Sequence, residues 1–175
     1  MFSFLFISFI GLSFDRLNIF KYCLISCCLH ELGHILCYRF YIGYWPQINI
    51  KMFGFIMKNN VSLHKHYNKI LFAGPFVNFI SALYAAILCL FNFTINRYVF
   101  FSVNILIFIF NMLPVYYFDG GQILYTKSVF YRNNYKVISF LTLLLLCVML
   151  FSFTGNAVII FLPALYYIIN ISNDI

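Results

Sequence analysis

Negative charge is what this 175-residue chain most conspicuously lacks: it has four acidic residues, Asp15, Glu31, Asp119 and Asp174, against eleven lysines and arginines. Charged residues make up only 9% of the chain and hydrophobic ones 64%. A soluble domain carries about 25% charged residues to clothe its surface, so that class is excluded. Four prolines and eight glycines rule out a Pro/Gly-rich linker or fibrous repeat. The six cysteines, Cys23, Cys27, Cys28, Cys37, Cys89 and Cys147, all lie in apolar runs and form no CxxC. Neither a disulfide framework nor a cysteine-based zinc site is implied, and packing explains them.

What is present instead is length without charge. No charged residue occurs between Lys69 and Arg97, between Arg97 and Asp119, or between Lys136 and Asp174. About 20 apolar residues cross a bilayer core of about 30 Å, so the pattern predicts an all-α polytopic membrane protein. Six spans are expected, at about 2–14, 18–41, 69–92, 98–118, 137–152 and 157–171, in a single domain over 1–175. The catalytic core is expected at about 18–124 and a C-terminal helical pair at about 137–171. Between the second and third spans, "WPQINIKMFGFIMKNN" partly alternates apolar and polar residues, as a membrane-associated β-hairpin would. "SFTGN" reads as a turn, and 125–136 as a basic loop.

The net charge of +7 is a topology signal rather than a nucleic-acid one. Arg39, Lys51, Lys58, Lys65 and Lys69 follow the second span, and Lys127, Arg132 and Lys136 follow the fourth, so these two loops share a side. Arg16, Lys21 and Arg97 lie opposite. The richer side is expected to be cytoplasmic, which makes both termini cytoplasmic. The N-terminal "MFSFLFISFIGLSF" lacks a basic n-region and a clear small-residue cleavage site, so it reads as a retained span.

Within the second span stands "HELGH", containing the only glutamate in the chain. His30 and His34 are four residues apart and project from one helix face, a spacing that lets two imidazoles share one zinc. Glu31 sits beside them, able to take a proton from the attacking water. A chain of this composition would contain HExxH by chance about 5 times in 10,000. Charged groups at membrane depth cost about 2.5 kcal/mol or more each and are usually functional.

A catalytic zinc wants a third protein ligand and an open position. Asp15 lies in a loop and Asp174 at the C-terminus, which leaves Asp119, in "NMLPVYYFDGGQIL" at the end of the fourth span. The second and fourth spans both run toward the cytoplasmic side, so HExxH and Asp119 are expected at similar depth. The plain alternative for "DGG" is a turn whose glycines supply positive φ. Pro114 weakens the helix just before it, and broken backbone within a membrane usually lines a cavity. Cys27 shares the face of His30 but is better explained by packing, and His64 and His66 in "HKHYNK" by a solvated loop.

Three segments in order, HELGHILCYRFYIG at 30–43, AGPFVN at 73–78 and FNMLPVYYFDGG at 110–121, resemble the signatures of site-2 proteases, which are intramembrane zinc metalloproteases. The layout is most similar to the sporulation-type bacterial branch. The resemblance implies that His30, His34 and Asp119 bind Zn2+ and that Glu31 activates water. It also implies that Asn78 lies near the site, holding substrate, the oxyanion or another helix, and that Asn111 and Pro114 shape a substrate-binding break. Where relatives often have a proline or small residue shortly before the aspartate, this chain has Tyr116 and Tyr117. The substrate so implied is a membrane-tethered protein, such as a transcription or sigma factor precursor, or the remnant of a signal peptide. A membrane inhibitor or regulator is a further implied partner, the bilayer is the setting, and nucleic acid is not implied. The segment 44–58 is expected to offer an edge strand to an extended substrate. The rival expectation is a non-catalytic membrane protein that binds a metal or a partner; Tyr116–Tyr117 favours it, and an intact Glu31 opposes it.

Overall fold

In a computed structural model of the protein, residues 15, 18–51, 54–57 and 65–154 are described. The expected first and sixth spans, about 2–14 and 157–171, lie outside them. The chain divides into two compact units, Met1–Asn111 and Met112–Ile175.

The first unit contains helices α1 (Ile19–Ile42), α2 (Tyr67–Phe91) and α3 (Ile95–Asn111), with two short strands, β1 (Ile48–Lys51) and β2 (Gly54–Met57), between α1 and α2. The Asp15 carboxylate accepts the Lys21 N–H at 2.9 Å, which satisfies a donor in the opening turn of α1. Gly43, at φ 92°, ends the helix with its N–H on the Arg39 carbonyl. The strands pair antiparallel, with Ile48 opposite Met57, Asn49 opposite Ile56, Ile50 opposite Phe55 and Lys51 opposite Gly54. At the turn from α2 to α3, the Arg97 guanidinium donates to the carbonyls of Leu88 and Asn92, closing the C-terminal end of α2.

This unit is built inside out relative to a soluble bundle. α1 buries Ser26, His30, Gly33, His34 and Tyr38, while Leu36 is 60% and Phe40 80% exposed. α2 buries Gly74, Pro75, Asn78, Ala82 and Ala85 together with Ile70 and Leu71, and α3 buries Val103 and Asn104. Small and polar residues inside with large apolar ones outside is the arrangement that lipid favours. α1 and α2 are long and apolar enough to cross a membrane. α3 is apolar but has only 17 residues. It stops at Asn111 rather than running on to 118, because Pro114 restricts the backbone that would continue it.

The second unit contains α4 (Asp119–Lys127) and α5 (Val129–Thr154), preceded by the connecting segment 112–118. Asp119 therefore opens a new helix instead of ending the fourth span. Gly120 and Gly121 are both helical. A Cβ on Gly120 would stand 2.5 Å from the Met112 carbonyl oxygen, and one on Gly121 would run into the Val115 carbonyl. These glycines serve close packing, not positive φ; among the described residues the only glycine with positive φ is Gly43. α5 ties the same segment down as well. The Tyr131 hydroxyl donates to the Pro114 carbonyl at 3.0 Å, and the Tyr116 N–H donates to the Ser139 hydroxyl at 3.1 Å.

The expected basic loop over 125–136 is instead helical apart from a break at Ser128. The Ser128 hydroxyl accepts the Tyr131 N–H at 3.2 Å, an N-cap for α5. Arg132 donates to the carbonyls of Tyr125 and Thr126, which caps α4 with a cation. Tyrosines of this stretch pack on Tyr116, whose ring centroid is 4.7 Å from that of Tyr135 and 5.1 Å from that of Tyr125.

Candidate metal centre

His30 and His34 lie one turn apart on the buried face of α1, and their Nε2 atoms approach to 3.1 Å. The partners of the other ring nitrogens fix the role of each Nδ1. His34 Nδ1 lies 2.8 Å from the Ile70 carbonyl oxygen, an acceptor only, so Nδ1 carries the proton and donates it. His30 Nδ1 lies 2.7 Å from Asn78 Oδ1, likewise an acceptor, so His30 donates through Nδ1 too. Both imidazoles thus donate through Nδ1 and turn Nε2 toward the same point.

Two nitrogens each about 2.0–2.1 Å from a tetrahedral zinc stand about 3.3 Å apart. The observed 3.1 Å is close to that spacing. Both Nδ1–H groups are held by oxygen acceptors, the outer hydrogen bonding that metal-ligating histidines use to fix ring and tautomer. The donor chemistry of the pair therefore fits zinc.

The AGPFVN stretch of α2 makes room for this arrangement. Pro75 has no N–H, so the Leu71 carbonyl has no donor from residue 75. The carbonyl one residue earlier, at Ile70, is the one that accepts from His34. Gly74 faces the His34 ring so closely that an added Cβ would stand 2.6 Å from Cε1 and closer still to Nε2. Gly74→Ala is accordingly expected to push the imidazole out of register at a strain of about 1–3 kcal/mol. That corresponds to about 5- to 150-fold weaker metal binding, measurable as the metal retained per chain during titration with a competing chelator.

Glu31 is half-buried, on the same turn as the two histidines. Asn78 is fully buried, and all of its polar atoms are engaged within the unit: Oδ1 by His30, and Nδ2 by the Ser26 carbonyl at 3.0 Å and Asn104 Oδ1 at 2.9 Å. Asn104, which sequence reasoning passes over, was detectable as a polar side chain inside the apolar run of α3. Asn111 ends α3 and donates back to the Ile107 carbonyl at 3.0 Å. Pro114 lies in the connecting segment, its carbonyl held by Tyr131. Asp119 occupies the first turn of α4, where a carboxylate is favoured by the helix dipole. Cys27 is exposed, and His66 stacks on Tyr41 at 4.5 Å.

No family model matches the chain. No curated protein matches it either. Among solved structures it is similar to a site-2 protease from Methanocaldococcus jannaschii, with a TM-score of 0.61 and 25% identity over 95% of this chain and 84% of that one. This likeness, together with the apolar helices and the paired imidazoles, supports a membrane metalloprotease scaffold.

Proposed function

We propose that the chain is an intramembrane zinc metalloprotease that hydrolyses a peptide bond in or near the transmembrane segment of a membrane-tethered protein. The observation that carries this reading is the convergence of two imidazole Nε2 atoms, 3.1 Å apart, beside the chain's only glutamate on an apolar helix. The similarity to a solved site-2 protease supports it.

His30 and His34 would hold the metal through Nε2, and Asp119 would add a carboxylate; two imidazoles and one carboxylate are the donors of an open catalytic zinc site. When bound, zinc supplies a Lewis acid and makes a water acidic enough to react near neutral pH. Glu31 accepts the proton of the attacking water and returns it to the leaving amine. Asn111 and Pro114, before and within the segment 112–118, shape the place where the substrate lies. A helical substrate must unwind before its carbonyl can be attacked, because its backbone groups are otherwise paired. The paired strands β1 and β2 then offer an edge to the extended chain.

The full architecture in this proposal has six spans, with HExxH in the second, the aspartate after the fourth and both termini cytoplasmic. The sporulation-type branch, with a sigma or transcription factor precursor as substrate and a membrane inhibitor as regulator, is the most specific form of the proposal.

The test is co-expression with candidate single-span substrates, followed by assay of the purified chain in detergent before and after a strong chelator. Cleavage that stops on chelation and returns with zinc is expected. A chain that retains zinc but cleaves no substrate would be a metal-binding membrane protein instead.

A further inference from the structure

We propose that Asn104 is a positioning residue that sets the tautomer of His30 through Asn78. The proposal rests on the reading of His30 and His34 as metal ligands and adds a residue that no signature motif contains.

The argument starts from a backbone carbonyl. Asn104 Nδ2 lies 2.9 Å from the carbonyl oxygen of Phe100, which can only accept, so the amide nitrogen of Asn104 points that way. Its Oδ1 then faces Asn78 and accepts from Asn78 Nδ2 at 2.9 Å. The second hydrogen of Asn78 Nδ2 goes to the Ser26 carbonyl at 3.0 Å. With both hydrogens committed, Asn78 can offer His30 only Oδ1, at 2.7 Å, so His30 must carry its proton on Nδ1. In the neutral ring Nε2 is then the lone-pair nitrogen, the one that metal ligation uses.

The relay crosses α3, α2 and α1, and Asn104, Asn78 and Ser26 are each 0% exposed, so no water competes for these bonds. Turning the Asn78 carboxamide over would set its oxygen against two acceptors, the Ser26 carbonyl and Asn104 Oδ1. Ser26 opposes that turn with one contact, and Asn104 doubles the opposition. Asn104→Leu removes this second lock and leaves a buried N–H of Asn78 without an acceptor. Asn104→Asp keeps an oxygen facing Asn78 in either protonation state, so it preserves the polarity of the relay.

The experiment uses the full chain in detergent, stripped of metal, and titrates Co2+ as a spectroscopic stand-in for zinc. Outer-sphere partners of metal-bound histidines are typically worth 10- to 100-fold in metal affinity. Asn104→Leu is expected to weaken Co2+ binding by that order, while Asn104→Asp stays near wild type. In histidine-labelled, metal-free protein, 15N NMR is expected to show His30 protonated on Nδ1 in the wild type and in Asn104→Asp, with Nε2–H appearing in Asn104→Leu. Equal affinity in Asn104→Leu and wild type, or a wild-type His30 protonated on Nε2, overturns the relay and leaves the metal site standing. A wild-type chain that takes up no Co2+ or Zn2+ overturns both. If Asn104→Leu does not yield folded protein, the wild-type tautomer measurement decides.

Discussion

Replacing Glu31 with glutamine is expected to slow substrate cleavage by about 10²- to 10⁴-fold, the range over which a positioned general base acts. Metal content should stay at the wild-type level. Glutamine matches glutamate in size and reach but cannot accept a proton at neutral pH, and neither imidazole depends on Glu31 for its Nδ1 hydrogen bond. Single-turnover cleavage of a co-purified substrate gives the rate, and elemental analysis of the same sample gives the metal. If the variant cleaves at the wild-type rate, Glu31 is not the base. If it loses its metal, Glu31 supports the ligands rather than the chemistry. A metal carrier would be indifferent to the change, so this variant also separates the protease from its non-catalytic rival.

Asn78→Leu is expected to weaken metal binding by about 10- to 100-fold and to destabilise the helical unit. The carboxamide of Asn78 joins the three helices through hydrogen bonds to His30, Ser26 and Asn104, all of them buried. Interhelical hydrogen bonds within membranes average about 0.6 kcal/mol each, so losing this set costs about 2 kcal/mol. Titration with a chelator measures the first effect, and thermal denaturation in detergent the second. A residue reserved for substrate or for the oxyanion would behave differently: cleavage would fall while metal affinity and melting temperature stayed unchanged.

How far the chain could be understood before its fold was known varies from residue to residue. The histidine pair was legible because helical periodicity is local: a spacing of four places two rings on one face whatever surrounds them. The uncharged run between Lys69 and Arg97 located α2 for a similar reason, since hydrocarbon thickness sets its length. Asn78 was legible as a site-adjacent residue, but not as the partner of His30, because its partners lie 48, 52 and 26 residues away. The acceptor of His34 could not be found by inspecting side chains at all, because it is a backbone carbonyl. The stretch 125–136 was misread for a physical reason too. Its charges looked like a solvated loop, yet Arg132 spends its guanidinium on the carbonyls that end α4, and Tyr125 and Tyr135 pack on Tyr116. In "DGG" the glycines drew attention as turn formers, whereas the fold uses them for the space that a side chain would fill.

The two imidazoles are anchored in different materials, one to main chain and the other to an exchangeable amide. No substitution at position 70, short of one that moves the helix, can take away the oxygen that holds His34. The His30 side, by contrast, depends on residues that a single nucleotide change can replace. Changes in outer hydrogen bonding should therefore act on the site through His30, whereas His34 answers to substitutions that crowd its ring, such as Gly74→Ala.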